Sequence, residues 1–145
     1  RWIYTTWRRS SPYPSMYQFD ARKRDVWTVK RIQSYTPLQA LVTLNDPVYV
    51  EAAQAFAREI IQAEDATNQR IEHAFKKALI RLPTNGEIER LSQLVEEVQG
   101  LYQDDQESAM QIATDPLGKL PDSIDVIDAA TWTVIANVIL KLAEI

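Results

Sequence analysis

The residues best placed to do chemistry lie near the N-terminus, where Tyr4, Arg9, Asp20, Arg24 and Arg31 set one carboxylate among three guanidinium groups and a phenol. Such a set is either a recognition or structural ion-pair cluster, or the carboxylate and cationic partners of a composite cleft. The ion-pair network is the expected reading. It would tie an irregular segment to a folded body, and removing one partner of a buried pair costs about 3–5 kcal/mol. Trp2, Tyr4 and Trp7 also interleave with Arg8, Arg9, Arg22, Lys23 and Arg24, as single-stranded nucleic-acid platforms do. An isoelectric point of about 5.0 argues against nucleic acid. Packing of these aromatics onto the rest of the chain is expected instead, with a carbohydrate or partner-protein surface as the alternative.

Other catalytic devices are thin. His73 is the single histidine, and the helical wheel turns it away from Phe75 among Arg70, Lys76 and Lys77, which points to a solvated side chain and not to a metal ligand. There is no cysteine, so disulfides, thiolate zinc, iron–sulfur ligation and thioether-linked haem are excluded within these residues. With three glycines in all, neither a dinucleotide-binding nor a P-loop glycine run can be assembled. No Gly-x-Ser-x-Gly elbow occurs. Asp122, Asp125 and Asp128 recur at three-residue steps, after Asp104, Asp105 and Glu107. Calcium is one reading of them, but no EF-hand pattern is present, and acids before a helix are explained by its dipole. No catalytic residue, cofactor or metal is therefore expected in this chain.

Charge divides the chain. Residues 1–36 carry six Arg and two Lys against Asp20 and Asp25, a balance of +6, while the whole chain is −4 and the remainder therefore −10. Intramolecular pairing between a wrapping basic segment and an acidic helical body accounts for this as well as an external anion does. The 145 residues suit one domain, residues 1–145, with an extended N-terminal segment over 1–35 and a helical body over 36–145. The start at Arg1 suggests the C-terminal part of a longer multidomain protein.

The elements that must position these residues are helices. The first 35 residues mix aromatics and prolines without a sustained period, and only Asp25 to Ile32 hints at a strand. From Thr36 the helix signals repeat. Thr36-Pro37-Leu38-Gln39 supplies a capping hydroxyl, a proline at the first helical position and Gln at the third, opening a helix to about Leu44. Asn45 suits its end, and Asp46-Pro47 restarts the pattern. In the second helix, about Pro47 to Ala63, Tyr49, Ala53, Phe56, Ile60 and Ala63 form one stripe with Glu51, Gln54, Arg58 and Gln62 opposite. The third, about Asn68 to Leu82, presents Ile71, Ala74, Phe75, Ala78, Leu79 and Leu82 before Pro83.

Thr84 and Glu87 form a capping box for a fourth helix to about Tyr102. Residues 103–127 read as polar and turn-rich, with one helical turn around Ser108 to Ala113. The last helix, about Asp128 to Glu144, is apolar nearly all round and should be the most buried; it is too short and too polar for a membrane span. The fold class is all-α, a bundle of about five helices.

These residues carry a resemblance. Tyr4-Thr5, Arg9, Phe19-Asp20-Ala21, Arg24, Val29-Lys30-Arg31, Thr36-Pro37-Leu38-Gln39-Ala40-Leu41, Leu44-Asn45-Asp46-Pro47 and Glu51-Ala52-Ala53 resemble the C-terminal domain of planctomycete cytochrome c-associated proteins, a domain of unknown function. Ala129-Ala130-Thr131-Trp132 resembles its closing helix. Arg22 stands where that family usually has Pro and Trp27 where it usually has Cys, so no role of that Cys carries over. The resemblance implies an extracytoplasmic, periplasmic or secreted, setting, with haem c in another domain of the parent protein. The expected function is a non-catalytic helical module making contacts with sister domains, a partner protein or a carbohydrate polymer. The alternative is a portion of a hydrolytic or redox enzyme whose composite site includes Asp20 and nearby Arg residues.

Overall fold

The structure, a computed structural model, describes residues 13, 16, 18, 19 and 36–142. Among them are six helices and no strand: α1 (Pro37–Asn45), α2 (Pro47–Ala63), α3 (Thr67–Leu79), α4 (Asn85–Asp104), α5 (Gln106–Thr114) and α6 (Val126–Leu142). The architecture is the all-α one that the sequence pattern predicts. The chain divides into two compact units, residues 1–46 and 47–145. The extended segment expected over 1–35 and the strand considered at Asp25 to Ile32 lie outside the described residues, apart from Tyr13, Met16, Gln18 and Phe19, of which Met16 and Gln18 are helical and not extended.

In the first unit, α1 begins at Thr36, whose hydroxyl accepts from the Gln39 amide at 3.3 Å while the Gln39 side chain accepts from the Thr36 amide at 2.9 Å. Two of the amides that open any helix without partners are thus satisfied. The Gln39 side-chain nitrogen also donates to the Gln18 carbonyl at 2.7 Å. Burial on this helix is inverted relative to hydropathy, since Gln39 and Thr43 are covered and Leu38, Leu41 and Leu44 are exposed.

In the second unit α6 is the hub, packed against each of α2, α3, α4 and α5. Its Trp132, Ile135, Ala136 and Ile139 share one core with Ala53, Ala57 and Ile60 of α2, Ile71, Ala74 and Phe75 of α3, and Leu91 and Val95 of α4. The alanines have no side chain beyond Cβ, which lets α2 and α6 approach closely while Trp132 and Phe75 fill the remaining volume. A smaller cluster joins Ala109 and Ala113 of α5 to Ile124, Ala129 and Ala130. Side-chain-to-backbone bonds settle the entry to α6: Asp125 Oδ2 accepts from the Ile127 and Asp128 amides at 3.0 and 3.1 Å, so the helix starts at Val126, before Asp128.

Three local expectations are revised. The stripe on α2 is rotated: Gln54 is 1% exposed and Arg58 half-buried, whereas Ala63 is exposed. Helix α3 stops at Leu79 and not near Leu82, because Ile80 adopts a left-handed conformation at φ 56° with its side chain 90% exposed. The polar stretch after Tyr102 holds a full nine-residue helix, α5, capped by Asp105, whose Oδ1 accepts from the Ser108 amide at 3.1 Å.

Candidate functional site

Of the residues singled out as a recognition or ion-pair cluster, Tyr4, Arg9, Asp20, Arg24 and Arg31 all lie outside the described residues. Asn45 is the last residue of α1, and its side-chain nitrogen donates back to the Leu41 carbonyl at 2.9 Å. Its backbone is not left-handed, as Ile80 is the non-glycine residue at positive φ among those described. Asp46 is extended between α1 and α2, and its amide donates to the Val42 carbonyl at 2.8 Å.

Thr84 and Glu87 open α4. The Glu87 carboxylate accepts from the Thr84 amide at 2.7 Å and from the Thr84 hydroxyl at 2.9 Å, while Arg81 grips it with two nitrogens at 2.9 and 2.6 Å. The Arg81 fork and the Thr84 donors pull the Glu87 carboxyl down to about 2. Arg81 also lies 5.0 Å over the ring of Phe75, covering the edge of the core.

The densest polar construction is one that reading the sequence as stripes does not reveal. A helix leaves its last four carbonyls without partners, and α5 has an additional deficit. The carbonyl of Ile112 would take the amide of residue 116, which is Pro116 and has none. Gln54 of α2 supplies the missing donor, with its side-chain nitrogen 2.6 Å from the Ile112 carbonyl and 2.7 Å from that of Asp115. The Gln54 carbonyl oxygen accepts from the Leu117 amide at 3.0 Å. Because Leu117 is thereby occupied, the Ala113 carbonyl takes Arg58 Nη2 at 3.1 Å instead. The Gln111 and Thr114 carbonyls receive the Asp115 and Gly118 amides at 2.9 and 2.6 Å.

Arg58 further donates to the Gly118 and Lys119 carbonyls at 2.7 and 3.3 Å, and burial lowers its pKa. Gly118 sits at φ 101°, where a side chain would be strained, so glycine is needed to turn the chain back towards Arg58. Two polar residues of α2 thus cap α5 from outside and hold the turn that follows it.

A second tie joins α3 and α6 to the residue that follows α2. Arg70 of α3 donates from Nε to the Glu64 carbonyl at 2.6 Å and from Nη1 to both oxygens of Asp128 at 3.1 and 3.0 Å, and lies 5.4 Å over Trp132. Its side chain is 12% exposed, so this pair is screened less than a surface one. His73 is half-buried and not solvated, and its Nε2 has no hydrogen-bond partner among the described residues. Asp125 and Asp128 are committed to the helix start and to Arg70. Among the described residues no group of three or more His, Cys, Asp or Glu side chains could hold a metal ion, and no helix is long and apolar enough to cross a membrane. What these groups accomplish is attachment of one helix to another.

The second unit is thus a five-helix domain organised on α6 and pinned by side-chain caps. A family model described as PSD1, protein of unknown function (DUF1553), matches residues 1–95, well over half of the chain, and the chain belongs to that family. No curated protein and no solved structure matches it.

Proposed function

We infer that this chain is a non-catalytic helical module that works by contact, within a secreted, multidomain, haem-c-associated protein of the planctomycete type its sequence resembles. The observation that carries the reading is the inverted α1, which turns Leu38, Leu41 and Leu44 outward at 48%, 53% and 45% exposure within the family-matched residues. These three leucines recur at three-residue steps on a nine-residue helix that bears no charge, and such a stripe gains by being covered. A protein surface, first of all that of a sister domain, is the occupant that this apolar chemistry suits best, ahead of a carbohydrate polymer. Haem c would belong to another domain of the parent, and the setting would be periplasmic or extracellular.

The test has two arms. The coding sequence flanking residues 1–145 should contain a CxxCH haem-attachment motif upstream, and its absence would remove the haem setting. Adjoining segments, expressed separately, should bind the chain in calorimetry, with at least tenfold weakening by Leu41→Glu, equivalent to losing one buried leucine of about 1.5–3 kcal/mol. Unweakened binding by a Leu41→Glu chain of normal helix content would remove α1 as the contact.

A further inference from the structure

Asn85–Gly86 is the one Asn–Gly pair in the chain, and it forms the first two residues of α4. We propose that Asn85 is a site of spontaneous deamidation whose rate is gated by the Arg81–Thr84–Glu87 cap.

The chemistry needs an amide nitrogen that can lose its proton and reach the neighbouring side-chain carbon. Gly86 is at the second helical position, where an amide has no carbonyl a turn earlier to bond. No hydrogen bond from the Gly86 amide occurs among the described residues. Both residues are exposed, and a Cβ placed on Gly86 would meet nothing within 4 Å. The positive end of the helix dipole also favours the deprotonated amide.

In the first step the Gly86 nitrogen bonds to Cγ of Asn85, the Cγ–Nδ2 bond breaks, and the side-chain nitrogen leaves as ammonia with the amide proton. In the second step water adds to either carbonyl of the succinimide ring and one ring C–N bond breaks. The products are aspartate or isoaspartate, and no oxidant or reductant is involved.

Helical geometry at Asn85 holds the two reacting atoms out of line, so the first turn of α4 must open before the ring can close. That opening requires the Thr84 hydroxyl to release the Glu87 amide and the Glu87 carboxylate to release the Thr84 amide. Arg81 opposes it by clamping the same carboxylate. Once isoaspartate forms, the additional backbone methylene displaces Glu87 from Thr84, and the cap cannot close again. The other asparagines provide internal controls: Asn45, Asn68 and Asn137 are followed by Asp46, Gln69 and Val138, whose side chains hinder attack.

The experiment is peptide mapping by mass spectrometry, with isoaspartate detection, on the full chain aged in mildly alkaline buffer at body temperature. Conversion at Asn85 should outrun that at Asn45, Asn68 and Asn137. Thr84→Ala should raise the Asn85 rate about fivefold, the equivalent of one lost helix cap. Denaturing the wild-type chain in urea should raise it further, and Gly86→Ala, which keeps the helix, should suppress it. Asn85 conversion no faster than that of Asn137 would overturn the site, and equal rates in folded and urea-denatured chain would overturn the gate.

Discussion

Replacing Gln54 by leucine tests the cap on α5 directly, because leucine keeps most of the volume and removes every polar atom. Three hydrogen bonds disappear, to the Ile112 and Asp115 carbonyls and from the Leu117 amide. Each contributes about 1 kcal/mol net, and a group left buried and unpaired costs about 1–3 kcal/mol. Water can still approach the Asp115 side of the turn, where the residue is exposed, whereas Pro116 offers the Ile112 carbonyl no amide at all. The loss should therefore total about 3 kcal/mol, which lowers Tm by about 12–15 °C for a unit of this size. Urea unfolding followed by circular dichroism should show the midpoint fall with its slope unchanged. Gln54→Glu adds a second readout. A buried carboxylate facing two carbonyl oxygens has a raised pKa, so this variant should be least destabilised below the ordinary Glu value of about 4.3 and should lose stability as pH rises. A Gln54→Leu loss under about 1 kcal/mol would show that water completes the helix end and that the side chain is not its cap.

Three further outcomes are expected. Arg58→Met keeps the aliphatic stem but strands the Ala113 and Gly118 carbonyls, and should cost about 2 kcal/mol in the same urea assay. Ile80→Gly should raise the urea midpoint by the equivalent of about 0.5–1 kcal/mol, since relief of a left-handed β-branched residue outweighs the added freedom of glycine in the unfolded chain. Glu87 has its carboxyl lowered from 4.5 to about 2, so its bonds to Arg81 and Thr84 stabilise the fold fully above 4.5 and are lost as pH falls through that interval towards about 2. The gap in unfolding midpoint between the wild type and Arg81→Ala should accordingly narrow as the solution is acidified, leaving only what the Arg81–Phe75 contact contributes, and a gap that does not narrow would contradict the pairing.

The helical class and most helix boundaries were legible because their signals are local: a proline after Thr36, another after Asp46, and the apolar run of α6 are readable within a few residues. The end of α3 was not. Pro83 marks the region but not the residue at which the backbone turns left-handed, and a β-branched residue is an unfavourable choice for that turn. Helix α5 reads as a single turn in the sequence because its buried face is only Ala109 and Ala113, too small to give a strong apolar period. Gln54 and Arg58 fall on the solvent face of the sequence pattern for a different reason. Their partners lie about 60 residues away in the chain, and the need for them arises from Pro116, so a reading based on hydropathy sees two polar residues and assigns them to water. The Asp20 cluster lies outside the described residues.

Because α6 touches every other helix of its unit and supplies Trp132, Ile135 and Ile139 to their common core, residues 47–125 have little to close around until it is made. Ribosomes build from the N-terminus at roughly 5–20 residues per second, so for some seconds the nascent chain carries Phe75, Ile71 and Ile60 without the Trp132, Ile135 and Ile139 side chains that complete their core. Folding of this unit is thus a late event triggered by one segment, and a premature stop shortly before Val126 would yield a sticky, protease-sensitive product instead of a smaller stable domain.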